Sequence, residues 1–250
     1  MAKPSDLRNL LDKQKVFVEQ FLKTTGYTDR PCYRALSDFS REFLAKTPPG
    51  STVIDFAAGH CLWEPFFADC RYLAFDLGVS NVPARPHWSW VGDVYHTPLR
   101  NATADSVICM STLGHLAYPQ RALSEIHRVL KPGGHFLMMS EFGKAGHHEP
   151  HDYCRLSDHA LQTYLDELGF DILRLEGSNS FLTTIFDLIE NCWWKTGFED
   201  LKSPLRWFAG LFMRLSLRFG LIKLLYGLDR GRSLGKNLMP VYFLTLARKK

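Results

Sequence analysis

The chain of 250 residues has no Cys-x-x-Cys pair, no GxGxxG run after its first predicted strand and no apolar stretch of membrane-spanning length. Each absence excludes something. The six cysteines (Cys32, Cys61, Cys70, Cys109, Cys154, Cys192) are scattered, so neither a zinc knuckle nor a redox pair is expected, and reduced thiols are. A dinucleotide-binding dehydrogenase would carry the missing glycine fingerprint. A spanning helix needs about 18 or more uncharged apolar residues, and none occur in a row. The opening Met-Ala-Lys-Pro-Ser-Asp has no apolar core of the secretory type, so the expected location is the cytoplasm, with the inner face of a membrane as the alternative. No repeat or low-complexity segment stands out. The net charge of +4 is mild, and neither a basic arm nor finger spacing points to nucleic acid.

What is present is ordinary for a folded domain: 46% hydrophobic, 22% charged, and a high 13% aromatic share led by 18 Phe. Helical spacing of Leu10, Leu11, Val16, Phe17, Phe21 and Leu22 predicts a helix over 5–25, and a second is expected near 32–46. After Pro48-Pro49-Gly50 the pattern changes. Strands are predicted at 53–56, 71–76, 88–91, 106–110, 135–140, 170–176 and 241–247, with helices at 119–130 and 158–168. Lys131-Pro132-Gly133-Gly134 is expected to end the first of these helices and Gly169 the second. The alternation predicts an α/β fold with a mostly parallel sheet. The chain divides into an N-terminal helical cap (1–50), a core (51–180 and 238–250) and an insertion at 181–237. That insertion is too long for a turn and too apolar for a linker.

Val53-Ile54-Asp55-Phe56-Ala57-Ala58-Gly59-His60-Cys61 reads as a buried strand followed by a small-residue loop. A short helix should follow, and then the strand Tyr72–Asp76. Such a unit builds a nucleoside pocket: the loop admits a ligand to the backbone, and the carboxylate ending the second strand holds a ribose diol.

Three stretches resemble the class I S-adenosylmethionine-dependent methyltransferases, in the branch called type 11. One is the loop just quoted with Leu62-Trp63-Glu64-Pro65-Phe66-Phe67. Another runs from Gly92-Asp93-Val94 through Glu125-Ile126-His127-Arg128-Val129-Leu130-Lys131-Pro132-Gly133-Gly134. The last is Pro150-His151-Asp152-Tyr153-Cys154-Arg155-Leu156-Ser157. The resemblance implies a Rossmann-like, doubly wound sheet of seven strands with the last antiparallel, and S-adenosylmethionine as cofactor. It implies an enzyme moving a methyl group, most readily to oxygen, onto a small or a lipid- or sugar-linked acceptor. Asp55, Ala57, Gly59, Asp76, Leu77, Asp93, Val94, Met110, Ser111 and His115 are then the cofactor-binding candidates, with Thr112 beside them. Asp55 would meet the methionine amino group, Asp76 the ribose, and Asp93 with Val94 the adenine. Alanine at 57 is tolerable provided its φ stays negative.

The family often has a glutamate before the histidine after the fourth strand; here Leu113-Gly114 precede His115. The loop after the fifth strand supplies the catalytic candidates His148, His151, Asp152, Tyr153 and Arg155, with His147 adjacent. A histidine there suits a general base, since its ordinary pKa lies near neutral. The plainer reading makes Asp152, Tyr153 and Arg155 a hydrogen-bonded brace and the histidines solvated. No metal is expected: successive loop residues rarely converge on one ion without a helical i,i+4 spacing or a distant further ligand.

Between Lys195 and Lys236 the segment carries nine Lys/Arg against three acids, a net +6, leaving −2 for the rest. Within it, 205–228 interleaves Arg206, Arg214, Arg218 and Lys223 with Trp, Phe and Leu. A lid over the acceptor pocket, a membrane-surface element and a homodimer interface all fit that pattern. The rival to an enzyme is a methyltransferase-like nucleoside-binding or scaffold protein without turnover, motivated by Ala57, Cys61 and Gly114.

Overall fold

The computed structural model describes residues 31–78, 87–179, 181, 183–185, 188, 208 and 238–250. The helix expected at 5–25 and almost all of the 181–237 insertion lie outside the described residues.

The described elements are α1 (Pro31–Ala45), β1 (Thr52–Phe56), β2 (Arg71–Asp76), β3 (Trp90–Val91), β4 (Ala104–Met110), α2 (Pro119–Val129), β5 (Leu130–Glu141), α3 (Asp158–Glu167), β6 (Phe170–Gly177) and β7 (Tyr242–Lys249). They form one seven-stranded sheet in the order β3-β2-β1-β4-β5-β7-β6. Neighbours from β3 to β5 pair in parallel, and β7 runs antiparallel to both β5 and β6. The chain order reverses between β1 and β4, which opens a crevice at the carboxyl ends of those strands.

Alternation along the strands divides the core. Ile54, Phe56, Val107, Cys109, Phe136, Met138 and Phe243 pack against Leu123, Ile126, Leu161 and Leu165 of α2 and α3. Val53, Ile108, Leu137, Leu244 and Leu246 face the other way, onto Leu36, Phe39 and Phe43 of α1 with Trp63, Phe66 and Phe67. Successive side chains of a strand point to opposite faces, so a strand covered on both sides reads as a nearly continuous apolar run.

Two expectations are corrected. The helix expected between β1 and β2 is only a 3-10 turn, Glu64–Phe67. Glu64 starts it with Pro65 in its first turn, and Phe66 and Phe67 pack onto the α1 face. The Lys131–Gly134 run is not a connector ahead of the strand. α2 stops at Val129, β5 starts at Leu130, and the run sits inside the strand bounds where the β4–β5 register shifts. Gly133 takes φ +77 there, and a Cβ on Gly134 would come within 3.0 Å of the Asp105 carbonyl.

The same region shows what the Glu125–Gly134 motif does structurally. Glu125 accepts from the Thr97 amide (2.7 Å) and hydroxyl (2.6 Å) and from Arg128 Nε and Nη2 (both 2.7 Å). These bonds hold its carboxyl down at about 2 against the opposing cost of burial. Arg128 continues to the Asn101 side chain at 2.7 Å. The motif therefore ties α2 to the segment after β3.

Candidate active site

The loop after β1 follows a demanding backbone path. Ala57, Gly59 and Cys61 have φ of +54, +50 and +52. The condition of a negative φ at Ala57 fails: the left-handed turn is kept although the residue is not glycine. An L-residue there costs roughly 1–2 kcal/mol. The path is held by Ala58 N donating to Phe75 O (2.9 Å), Cys61 N to Ala58 O (2.8 Å), and Trp88 Nε1 to Gly59 O (2.9 Å). Above Gly59 there is room, since an added Cβ would meet nothing within 4 Å.

Asp55, one residue before the end of β1, lies on the face of Val53 and is 2% exposed. Tyr72 Oη donates a short hydrogen bond to its Oδ2. Burial pushes its carboxyl up to about 7, with the nearby Asp76 adding to the rise and the Tyr72 bond opposing it. Asp76 ends β2. Its Oδ2 accepts from Gly59 N (3.0 Å) and its Oδ1 from Gly78 N (2.9 Å), so this carboxylate clasps the loop. Leu77 beside it is 54% exposed. Cys61 is buried, and burial with Asp55 nearby pushes its thiol up to about 12, so it holds no nucleophile at neutral pH.

Asp93 is exposed and its Oδ1 accepts from Tyr95 N at 2.9 Å, capping its own turn, while the Val94 side chain is buried in the core. Met110 ends β4. Ser111 follows with φ +51, its amide donating to Met139 O at 2.8 Å. Thr112 Oγ1 donates to Met110 O at 3.0 Å. These residues share the carboxyl edge with Asp55 and Asp76.

His115 closes a 3-10 turn, Leu113–His115. Its Nδ1 lies 2.7 Å from His151 O, and its ring sits edge-on to those of His147 (4.9 Å) and His148 (5.1 Å). The histidine loop docks on Gly114, whose carbonyl accepts from Tyr153 N (2.9 Å) and Cys154 N (3.2 Å). A Cβ at Gly114 would lie 3.3 Å from both Cys154 O and Glu141 Oε2. The space that a glutamate at 114 would enter is filled by the loop backbone and by Glu141. Glu141 ends β5, is 1% exposed, and its Oε2 has no hydrogen-bond partner among the described residues.

Asp152 and Arg155 form the brace. Arg155 Nη2 donates to Asp152 Oδ2 at 3.0 Å and Nη1 donates to Oδ1 at 2.5 Å, while His147 N donates to Asp152 Oδ2 at 2.9 Å. Chiefly the Arg155 bonds hold the Asp152 carboxyl far below the usual range. Tyr153 stands apart from the brace at 53% exposure, with its ring beside His151. His148 is exposed and left-handed, at φ +59. Sequence reasoning missed Tyr72, Trp88 and Glu141, which reach the site through strand register and packing. A depression of about 600 Å³ along α2, lined by Tyr95, His96, Arg121 and Arg128 among others, shares no residue with this site.

Known proteins are similar to this chain in sequence over part of its length and in fold. Residues 60–138 match the methyltransferase domain family of type 11. The ubiquinone/menaquinone biosynthesis C-methyltransferase UbiE of Rubrivivax gelatinosus is 31% identical over 111 residues, covering 40% of this chain and 44% of that protein. The demethylmenaquinone methyltransferase of Renibacterium salmoninarum is 35% identical over 101 residues, covering 38% and 42%. The chain thus spans less than half the length of the curated relatives it matches. Among solved structures, phosphoethanolamine N-methyltransferase 2 of Haemonchus contortus, in complex with S-adenosyl-L-methionine, superposes with a TM-score of 0.54 at 15% identity. That match covers 87% of this chain and 52% of that one. YcgJ of Bacillus subtilis gives 0.51 at 14% identity, covering 87% and 99%. The sheet order, the antiparallel β7 and the crevice at β1 and β4 define the Rossmann-like fold of class I S-adenosylmethionine-dependent methyltransferases. Within that fold, the stretch 60–138 is similar to the type 11 branch.

Proposed function

We propose that the protein is an S-adenosylmethionine-dependent methyltransferase acting on a small, hydroxyl-bearing and largely apolar acceptor, with oxygen as the methylated atom. The observation that carries the reading is the pair Asp55 and Asp76 at adjacent strand ends, joined by a loop that keeps three left-handed residues. Asp55 is buried at a cost that a cation beside it would offset, which suits the ammonium of the methionine end. Asp76 has acceptor capacity left after its two amide bonds, which suits a ribose diol. Leu77 and Asp93 with the Val94 backbone would flank the adenine, and Met110, Ser111 and Thr112 the methionine end. When bound, the cofactor supplies an electrophilic methyl group on a positively charged sulfur. The protein's part is to orient the acceptor and take its proton. His151 is assigned as the base, because it is exposed on the loop above the carboxyl edge and anchored there through its own backbone.

One relative is named as a C-methyltransferase of ubiquinone/menaquinone biosynthesis and another as a demethylmenaquinone methyltransferase, which favours a second reading with an aromatic acceptor methylated at ring carbon. An ionised ring hydroxyl serves either outcome, so the same base fits both. Calorimetry with S-adenosylmethionine tests the common core. Binding is expected for the wild type and should weaken by roughly tenfold or more in Asp76→Ala, the loss of a charge-assisted pair. No binding by the wild type at high ligand concentration overturns the reading. Binding without methyl transfer to any acceptor pool points to the turnover-free alternative. The carbon chemical shift of a transferred, isotope-labelled methyl distinguishes an ether from a ring-bound product.

A further inference from the structure

We propose that His115, His147 and His148 form a three-histidine site for a divalent transition-metal ion at the carboxyl edge of β4 and β5. One ring nitrogen from each lies within 4.8 Å of the other two. The distant ligand that a run of neighbouring loop histidines needs is His115, brought in by the 3-10 turn after β4.

The hydrogen bonding sets the tautomers a metal requires. His115 Nδ1 lies 2.7 Å from the carbonyl of His151, and His147 Nδ1 lies 3.0 Å from the carbonyl of Ala145. A carbonyl only accepts, so in both rings Nδ1 carries the hydrogen and Nε2 keeps its lone pair. This is the arrangement by which backbone carbonyls orient metal-ligating histidines. Lys144 beside this loop donates to Tyr242 Oη at 2.7 Å.

The third residue, His148, sits in a left-handed backbone conformation unusual for a non-glycine, and that conformation puts its ring against the other two. Around a tetrahedral zinc ion, ligand nitrogens lie about 3.3 Å apart, from bond lengths of about 2.0–2.1 Å. Closing from the present spacing takes small ring movements, and the exposed His148 is free to make them. Asp152, which accepts from the His147 amide, is occupied by Arg155, and the converging donor set is all-imidazole, which selects an ion such as Zn2+ or Co2+ over Mg2+ or Ca2+. Three protein ligands leave a fourth position open. On the methyltransferase reading, and only on it, that position suits the oxygen of the acceptor, whose proton a bound cation would loosen.

The test uses the untagged full chain, stripped with chelator and titrated with Zn2+ by calorimetry, then with Co2+ by visible absorption. One equivalent of Zn2+ is expected, with the intense d–d bands of tetrahedral Co2+. Both should weaken by roughly tenfold or more in His148→Ala and in His147→Ala. Zn2+ should also raise the Tm of the wild type and not of the variants. Absence of stoichiometric Zn2+ binding, or binding unchanged when all three histidines are replaced, overturns the proposal. S-adenosylmethionine calorimetry on the same samples separates the two readings. Metal binding without cofactor binding keeps the site and sinks the methyltransferase, and the reverse result removes the metal alone.

Discussion

Ala57 and Cys61 carry methyl and thiol side chains through left-handed positions, and the loop still closes over Asp76. The cost falls on the folded state, so glycine should relieve it. Ala57→Gly is expected to raise stability by roughly 0.5–1 kcal/mol, the left-handed strain removed less the extra freedom of the unfolded glycine. Chemical denaturation measures it, and a destabilised variant would mean the strain is not there. Asp55 gives a pH signature. Its ordinary pKa of 3.8 rises to about 7 in the folded protein. Between those values the native state keeps a proton that the unfolded chain releases, so stability falls as pH climbs from about 4 to about 7. Asp55→Asn should flatten that part of the Tm–pH profile. If a cation settles beside Asp55, cofactor binding near pH 6 releases protons. Calorimetry in buffers of different ionisation enthalpy reads this directly, and an unchanged heat across buffers counts against Asp55 as the ammonium partner.

Among the elements, α2 gives the clearest prediction. Its Glu125 satisfies the segment after β3 and is locked by Arg128. Glu125→Gln should cost roughly 1.5–3 kcal/mol at neutral pH, the range for hydrogen bonds to a charged group. Glu125 titrates at about 2 folded, against an ordinary 4.5. Its contribution is therefore complete above about 4.5 and lost as pH falls towards 2, so wild type and variant should converge in acid. Denaturation at pH 7 and pH 3 checks both statements. The connection from β1 to β2 shows the limit of reading elements from pattern. Trp63, Phe66 and Phe67 are apolar enough for a helix, but their burial against α1 shortens it to a 3-10 turn.

At the scale of the molecule, no described helix is long and apolar enough to cross a membrane. The basic aromatic segment 205–228 is proposed to meet an anionic membrane surface, which would bring a greasy acceptor within reach. Basic side chains at such a surface contribute about 1 kcal/mol each. Sedimentation with anionic vesicles should carry down the full chain and spare a variant with Arg206, Arg214, Arg218 and Lys223 changed to glutamate. A wild type that stays in the supernatant removes the membrane idea and leaves the lid and the dimer interface.

The sequence alone determined the sheet, because a strand buried on both faces must read as an apolar run and a helix end must be punctuated. It also marked Asp55, Asp76 and the glycine-poor loop, since a carboxylate at or next to the end of each of two buried strands is a local pattern. Tertiary structure decided the rest. That Ala57 stays left-handed follows from the bonds of Phe75 and Trp88, far along the chain. That Glu141 fills the space beside Gly114, and that His115 meets His147 and His148, follows from the adjacency of β4 and β5. Spacing along a chain reports what neighbours can do; it does not report which distant loop a parallel sheet lays alongside.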